Sequence, residues 1–172
     1  MNKAYETHKL IQVFAPVALG TSGGTLYSYS DKAGTGTSGS AVGIDCRGWR
    51  KATVIQETGI KVAADTSILT AYITAAATLP TSLAKDAGLI SGFTLQPTAG
   101  GTGSSVQKGE INLTGVSGLN SADSPATTIT GGFLILKIAN TVASSGTLAQ
   151  SVSVLLEDPI IAPGGDTAAV SV

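Results

Sequence analysis

The sequence predicts an all-β fold, a β-sandwich or jelly roll with Gly/Ser/Thr-rich loops and at most one short helix, and three observations carry that prediction. Apolar and polar residues alternate with period two in several runs, built from the β-branched and aromatic types that suit a pleated sheet. Clusters such as "GTSGG", "KAGTGTSGSAVG", "QPTAGGTGSS", "GVSGLNSADSPATT" and "APGGD" separate those runs with residues that favour turns. Only one stretch has helical character. Many strands, glycine-rich turns and almost no helix indicate two packed antiparallel sheets.

In chain order, Lys3, His8 and Lys9 precede the apolar run Leu10 to Leu19, a faint imitation of a signal peptide that Glu6, Gln12 and Pro16 spoil. The segment is expected to be retained, and no stretch is long enough to span a membrane as a helix. Lys9 to Phe14 has weak strand character, but Pro16 disfavours both a continuous helix and a central strand there. Residues 1–20 are therefore expected to form an extended arm that offers Leu10, Ile11, Val13 and Phe14 to a neighbouring subunit, with Gly20, Gly23 and Gly24 as its hinge. His8 reads as a solvated or interface residue of that arm.

Residues 21–172 are expected to form a single β-sandwich domain with a long insertion around 78–130. Thr25 to Ser30 and Ala52 to Gln56 are weak strand candidates. In "SILTAYITA", Leu69, Ala71 and Ile73 share one face and Thr70, Tyr72 and Thr74 the other. "PTSLAKDAGL" is the helix: Pro80 stands ahead of a Thr81 or Ser82 cap, Leu83, Ala84 and Ala87 are apolar, and Gly88 is the expected stop. Gly92 to Gln96 and Val106 to Leu113 are further weak strands. Gly131 to Ala139 is apolar on both faces apart from Lys137, which predicts a central strand covered on each side. Ser151 to Glu157 places Val152, Val154 and Leu156 on one face, a half-buried strand.

Composition narrows the function classes. Only 12% of the 172 residues are charged, about half the usual share, while 42% are hydrophobic and 22 are glycine. A net charge of -1 provides little electrostatic steering or colloidal repulsion and suits a subunit held against other subunits. Ten basic residues scattered among eleven acidic ones make no phosphate-binding stripe, so nucleic acid is not an expected partner. With one histidine and one cysteine, a His/Cys zinc site cannot be assembled within a single chain, and no metal or cofactor is expected. The lone Cys46 reads as a small half-buried apolar side chain.

No catalytic signature is present, and the chain is expected not to be an enzyme. "GTGTSG", Gly34 to Gly39, has dinucleotide-binding spacing, but "SAVGID" then continues toward a strand where that motif needs a helix N-terminus to receive the pyrophosphate. Glu157 and Asp158 are adjacent, and neighbours on a strand face opposite ways. Asn112, Leu113 and Thr114 form a glycosylation sequon that a Thr-rich sequence produces easily. Tyr27 and Tyr29, two apart, would share one strand face, as rings stacked on a sugar or as rings packed in a core or subunit contact.

The stretch "IDCRGWRKATVIQ" holds the only cysteine, the only tryptophan and both arginines. Gly48 permits a tight strand start, Trp49 anchors it, and Arg47 and Arg50 are spaced to bind a carboxylate such as Asp45, or a partner. Ile44, Asp45, Arg47, Gly48 and Trp49 followed by "KATVIQETG", then "LTAYIT", and later "FLILKIANTVASSGTLAQSVSVLLEDPIIAP", resemble small bacteriophage virion proteins of the jelly-roll capsid decoration (cement) type. The resemblance covers residues 41–75 and 131–163. It departs from the pattern from Thr78 to Thr130 and in the first forty residues. It implies a non-enzymatic virion structural protein on the outer capsid surface, commonly a homotrimer, that binds the major capsid protein. It transfers no catalytic residue. A tail-associated or fibre-like module that binds host glycans through Tyr27 and Tyr29, or a tail-tube or head-closure subunit, is the alternative. Leu10, Ile11, Val13, Phe14, Tyr27, Tyr29, Arg47, Trp49 and Arg50 are the candidate interface residues.

Overall fold

A computed structural model of the chain describes residues 7–19, 24–27, 43–59, 65–79, 82–97, 104–141 and 148–160. Two antiparallel sheets face each other. The first contains β1 (His8–Leu19), β11 (Leu148–Pro159), β4 (Trp49–Thr58) and β7 (Ser105–Asn112), side by side in that order. The second runs β2 (Gly24–Tyr27), β10 (Phe133–Thr141), β5 (Thr66–Thr74), β6 (Gly88–Leu95), β8 (Ser117–Asn120) and β9 (Thr127–Thr130). A two-residue strand, β3 (Ile44–Asp45), pairs with Phe133 and Leu134, while β2 pairs with Lys137 to Asn140. Because β5 pairs with β10 along its whole length, β2 and β3 share the opposite side of β10 and act as one interrupted strand. With those two joined and the β8–β9 hairpin set aside, the sheets read 1-8-3-6 and 2-7-4-5, the strand order of an eight-stranded jelly roll.

The core lies between the sheets and follows the alternation of the sequence. Ala52 and Val54 of β4, Ile111 of β7, and Val152, Val154 and Leu156 of β11 meet Leu69 and Ala71 of β5, Phe93 and Leu95 of β6, and Leu134, Leu136 and Ile138 of β10. Strand β10 is covered on both faces, as its run, apolar apart from Lys137, predicts. Ile135 points away from the main core into a second cluster with Leu79, Leu83 and Ala87, capped by the one-turn helix α1 (Leu83–Asp86).

Several expectations are corrected. Residues 8–19 are not a detached arm: they pair with β11 from His8↔Glu157 to Leu19↔Leu148 and form an edge strand of the domain's own sheet. The register shifts between Gln12 and Phe14 and again between Phe14 and Val17. The first shift explains how two consecutive residues, Val13 and Phe14, both reach the core, and the second accommodates Pro16 at a bulge on an edge strand, where its missing N–H costs least. Nor is the span 78–130 a single insertion, since β6 and β7 within it are integral strands of the two sheets and only the β8–β9 hairpin is added. That hairpin falls largely within the cluster "GVSGLNSADSPATT", which reads as a loop from sequence, and its last two residues, Ile129 and Thr130, follow it.

The helix begins at Ser82, as the capping expectation allows, but the Ser82 side chain makes no cap hydrogen bond; its backbone N–H donates to the Asp86 carboxylate instead. Gly88 does not stop the helix, because Ala87 is already extended and Gly88 opens β6. A Cβ on Gly88 would lie 2.3 Å from the Gly118 carbonyl oxygen, and one on Gly118 would lie 2.0 Å from that of Gly88. This mutual close approach holds β8 against β6 and requires glycine on both strands.

Candidate interaction surface

The stretch with both arginines forms the turn between β3 and β4. Arg47 clamps Asp45 with two side-chain bonds, Nε to Oδ1 at 2.9 Å and Nη2 to Oδ2 at 2.7 Å, while its own backbone N–H donates to Oδ1 at 3.0 Å. Its guanidinium lies 4.8 Å from the centre of the Phe133 ring. The stem of Arg47 runs across Gly132, where a Cβ would come within 2.3 Å of Arg47 Cγ. Gly48 takes φ of 85°, and its carbonyl accepts the Ile160 N–H at 2.8 Å, which ties the end of β11 to this turn. Hydrogen bonding to Arg47 holds the Asp45 carboxyl below its usual range and pushes the guanidinium further up. Arg47 is therefore bound within its own domain.

Cys46, inside the same turn, is buried with its thiol 3.4 Å from the Ile44 carbonyl oxygen. Burial pushes its pKa up to about 12, so at neutral pH it is a protonated thiol and a poor nucleophile. Trp49 is half-buried against the core and stands opposite Pro159 in the β4–β11 register. Arg50 is exposed at an open depression of about 540 Å³ that it shares with Lys51, Glu110, Asn112, Thr114 and Asp158.

The other candidate interface residues fall in different places. Val13 and Phe14 are 1% and 0% exposed and belong to the core, which removes them from any contact surface. Ile11 packs against that core from its edge. Leu10 is 67% exposed, and together with Lys9, Ile11 and Gln12 it lines a groove of about 360 Å³ against Gly43, Ile44 and Asp45, on the open side of the sandwich between β1 and β3. The backbone of Tyr27 pairs with Lys137 at the edge of the second sheet, but its side chain, all of Tyr29 and the "GTGTSG" segment lie outside the described residues. Leu89 and Leu119, cross-strand partners, are 40% and 52% exposed on the outer face of the second sheet.

Polar side chains tie the strands and loops together, several of them at positions that nothing in the local sequence marks. Glu157 receives the Thr53 hydroxyl and lies 3.7 Å from Lys51 and 3.9 Å from His8, which stands opposite it in the register. The Thr53 hydrogen bond first, then the nearby Lys51 and His8, hold its carboxyl below the usual range. Lys51 also pairs with Glu110 at 2.8 Å, which raises the lysine's pKa. Buried Asn120 donates to the Lys85 carbonyl at 2.9 Å and accepts from the Ala122 N–H at 2.9 Å, fastening the β8–β9 hairpin to α1. Asn112, first residue of the sequon, accepts the Thr114 N–H at 2.9 Å in a tight turn after β7. Between the sheets, Gln56 donates to the Ser67 hydroxyl at 2.9 Å and Ser67 donates to Gln150 at 3.0 Å.

Among the described residues no three His, Cys, Asp or Glu side chains are grouped to hold a metal ion, and no helix is long and apolar enough to cross a membrane. No protein-family model matches the sequence, and no curated protein matches it. Among solved structures, the chain is similar to one in the structure of infectious bursal disease virus, Gx strain, at 13% identity and a TM-score of 0.44. The match covers 87% of this chain and 31% of that one.

Proposed function

We propose that this chain is a virion structural subunit of the decoration (cement) type, which binds the major capsid protein on the outer shell and stabilises it without catalysing a reaction. The observation that carries the reading is the strand order, an eight-stranded jelly roll, a fold used by viral capsid proteins, lectins and cupins. The chemistry of the residues favours the first of these. One histidine in the whole chain is too few for the histidine-rich metal site that would support a cupin-like activity. The one cysteine, Cys46, is buried and protonated, and Arg47 is bound to Asp45 and Phe133. A chain with only 12% charged residues suits a surface that spends its life covered by neighbours.

The resemblance of residues 41–75 and 131–163 to phage decoration proteins adds the bacteriophage origin and the homotrimer to this reading. Binding is tested by sedimenting the purified chain with shells assembled from the major capsid protein alone. The reading expects saturable co-sedimentation at a fixed ratio to the capsid protein and shells that survive higher temperature. Binding to tail tips or to host glycans instead would favour the fibre-like alternative.

A further inference from the structure

We infer that β7 pairs edge to edge with β7 of a second copy of this chain, across a two-fold axis at Gly109, so that the first sheet continues from one copy into the next. The inference concerns a contact that the virion reading does not specify and stands without it. Strand β7 closes one edge of its sheet, with all eight residues paired to β4 from Lys51↔Asn112 to Thr58↔Ser105 without a register shift. Its other side has no strand partner among the described residues. The opposite edge, β1, is bent by two register shifts and carries Pro16, devices that blunt a strand against further pairing. The edges of the second sheet, β2 and β9, are four residues each. Strand β7 is thus the long, regular edge, and a row of unpaired backbone groups there is a template for another strand.

The register follows from geometry and charge. Directly opposed residues in an antiparallel pair point to the same face, and facing alternates along a strand, so a two-fold axis normal to the sheet must pass through a residue. Over Ser105–Asn112 the two longest overlaps are centred on Lys108 and on Gly109. The first sets Lys108 directly against its own copy, which is unfavourable. The second sets Lys108 against Glu110 of the partner copy, and Glu110 against the partner's Lys108, giving two opposite-charge pairs on the outer face. Both side chains are exposed. One oxygen of Glu110, Oε1, already receives Lys51 of its own chain, which leaves Oε2 for the incoming lysine. Lys108 has no ion pair among the described residues. Gly109 is glycine for an internal reason, since a Cβ there would lie 2.7 Å from the Phe93 ring, so its position at the axis is a result of the charge pattern alone.

A two-fold contact cannot close a trimer, so in a trimeric protein it would join a subunit of one trimer to a subunit of the next. The test uses purified full-length chain. Lys108→Cys and Glu110→Cys variants are prepared separately and oxidised alone and mixed. In the Gly109-centred register positions 108 and 110 of two copies lie about 5 Å apart at Cβ, whereas identical positions are diagonal, about 7–8 Å apart, beyond ready disulfide formation. The mixture is expected to give disulfide dimers at roughly ten times the yield of either variant alone, and buried Cys46 does not compete. Equal yields in all three samples, or efficient dimers of Lys108→Cys alone, would overturn the register. Independently, Lys108→Glu should weaken self-association roughly tenfold at low salt, and added salt should narrow that gap because exposed charge pairs are screened. A Lys108→Glu chain that associates as tightly as wild type at low salt, or a wild-type chain that does not self-associate at high concentration, overturns the inference.

Discussion

Phe14→Ala distinguishes a core strand from an attachment arm more sharply than any other single change. Phe14 is 0% exposed, packed with Val13 into the main core, and paired through β1 with Val152 of β11. Replacing a fully buried Phe by Ala removes the ring's burial and leaves a cavity, a loss of about 3–5 kcal/mol. Against a total stability of about 5–15 kcal/mol, that is a large fraction. With a urea slope of about 2 kcal/mol/M, the unfolding midpoint should fall by about 1.5–2.5 M. Leu10→Ala, four residues earlier on the same strand but 67% exposed, is the control and should move the midpoint by no more than about 0.25 M, within the ±0.5 kcal/mol typical of surface changes. Tryptophan fluorescence from Trp49, on β4 of the same sheet, one strand beyond β11, reports the transition. Equal small shifts for the two variants would show that residues 8–19 do not belong to the folded sandwich.

Ser67→Ala removes a hydroxyl that accepts from Gln56 and donates to Gln150 between the sheets, and it should cost about 1–3 kcal/mol in the same urea titration because two buried amides lose a partner. Cys46 should be unreactive toward an aromatic disulfide reagent at neutral pH until the protein unfolds, given its burial and a thiol pKa of about 12; rapid stoichiometric labelling of native protein would contradict the structure. Acid should destabilise the fold. Asp45 and Glu157 are both held below their unfolded values of 3.8 and 4.5, so the stability they contribute is fully present above that range and is lost as pH falls through the depressed folded values. Thermal unfolding between pH 6 and pH 2.5 measures this, and Asp45→Asn with Glu157→Gln should flatten the decline.

The strands were legible where alternation is strict and apolar. Val152, Val154 and Leu156, and Leu69, Ala71 and Ile73, all sit inward as their spacing predicts, and the doubly apolar β10 is covered on both faces. Legibility failed where a bulge breaks the alternation. Val13 and Phe14 are consecutive, which suits neither face of a regular strand, and only the register shift against β11 explains their joint burial. It failed again where polar residues are buried: Gln56, Thr58 and Gln150 continue the inward-facing rows of β4 and β11, yet their partners, including Ser67 on the facing sheet, are long-range. The β8–β9 hairpin escaped notice because its strands are four residues long and one end is anchored by glycine contact and Asn120 rather than by apolar packing. Arg47 illustrates the same limit at the surface. Its spacing from Asp45 suggested a pair, but nothing local revealed that Gly132 and Phe133, more than eighty residues away, would hold its stem and ring face.

The central claim, a structural subunit on the outside of a virion, is tested most directly by electron microscopy of intact particles labelled with gold-tagged antibody against this chain. The account predicts regular label over the shell surface in many copies per particle, and particles that are less stable to heat when the chain is absent. Label confined to a tail tip, a tube or the head–tail junction, or no label on intact particles from which the chain is nonetheless recovered after disruption, would contradict it.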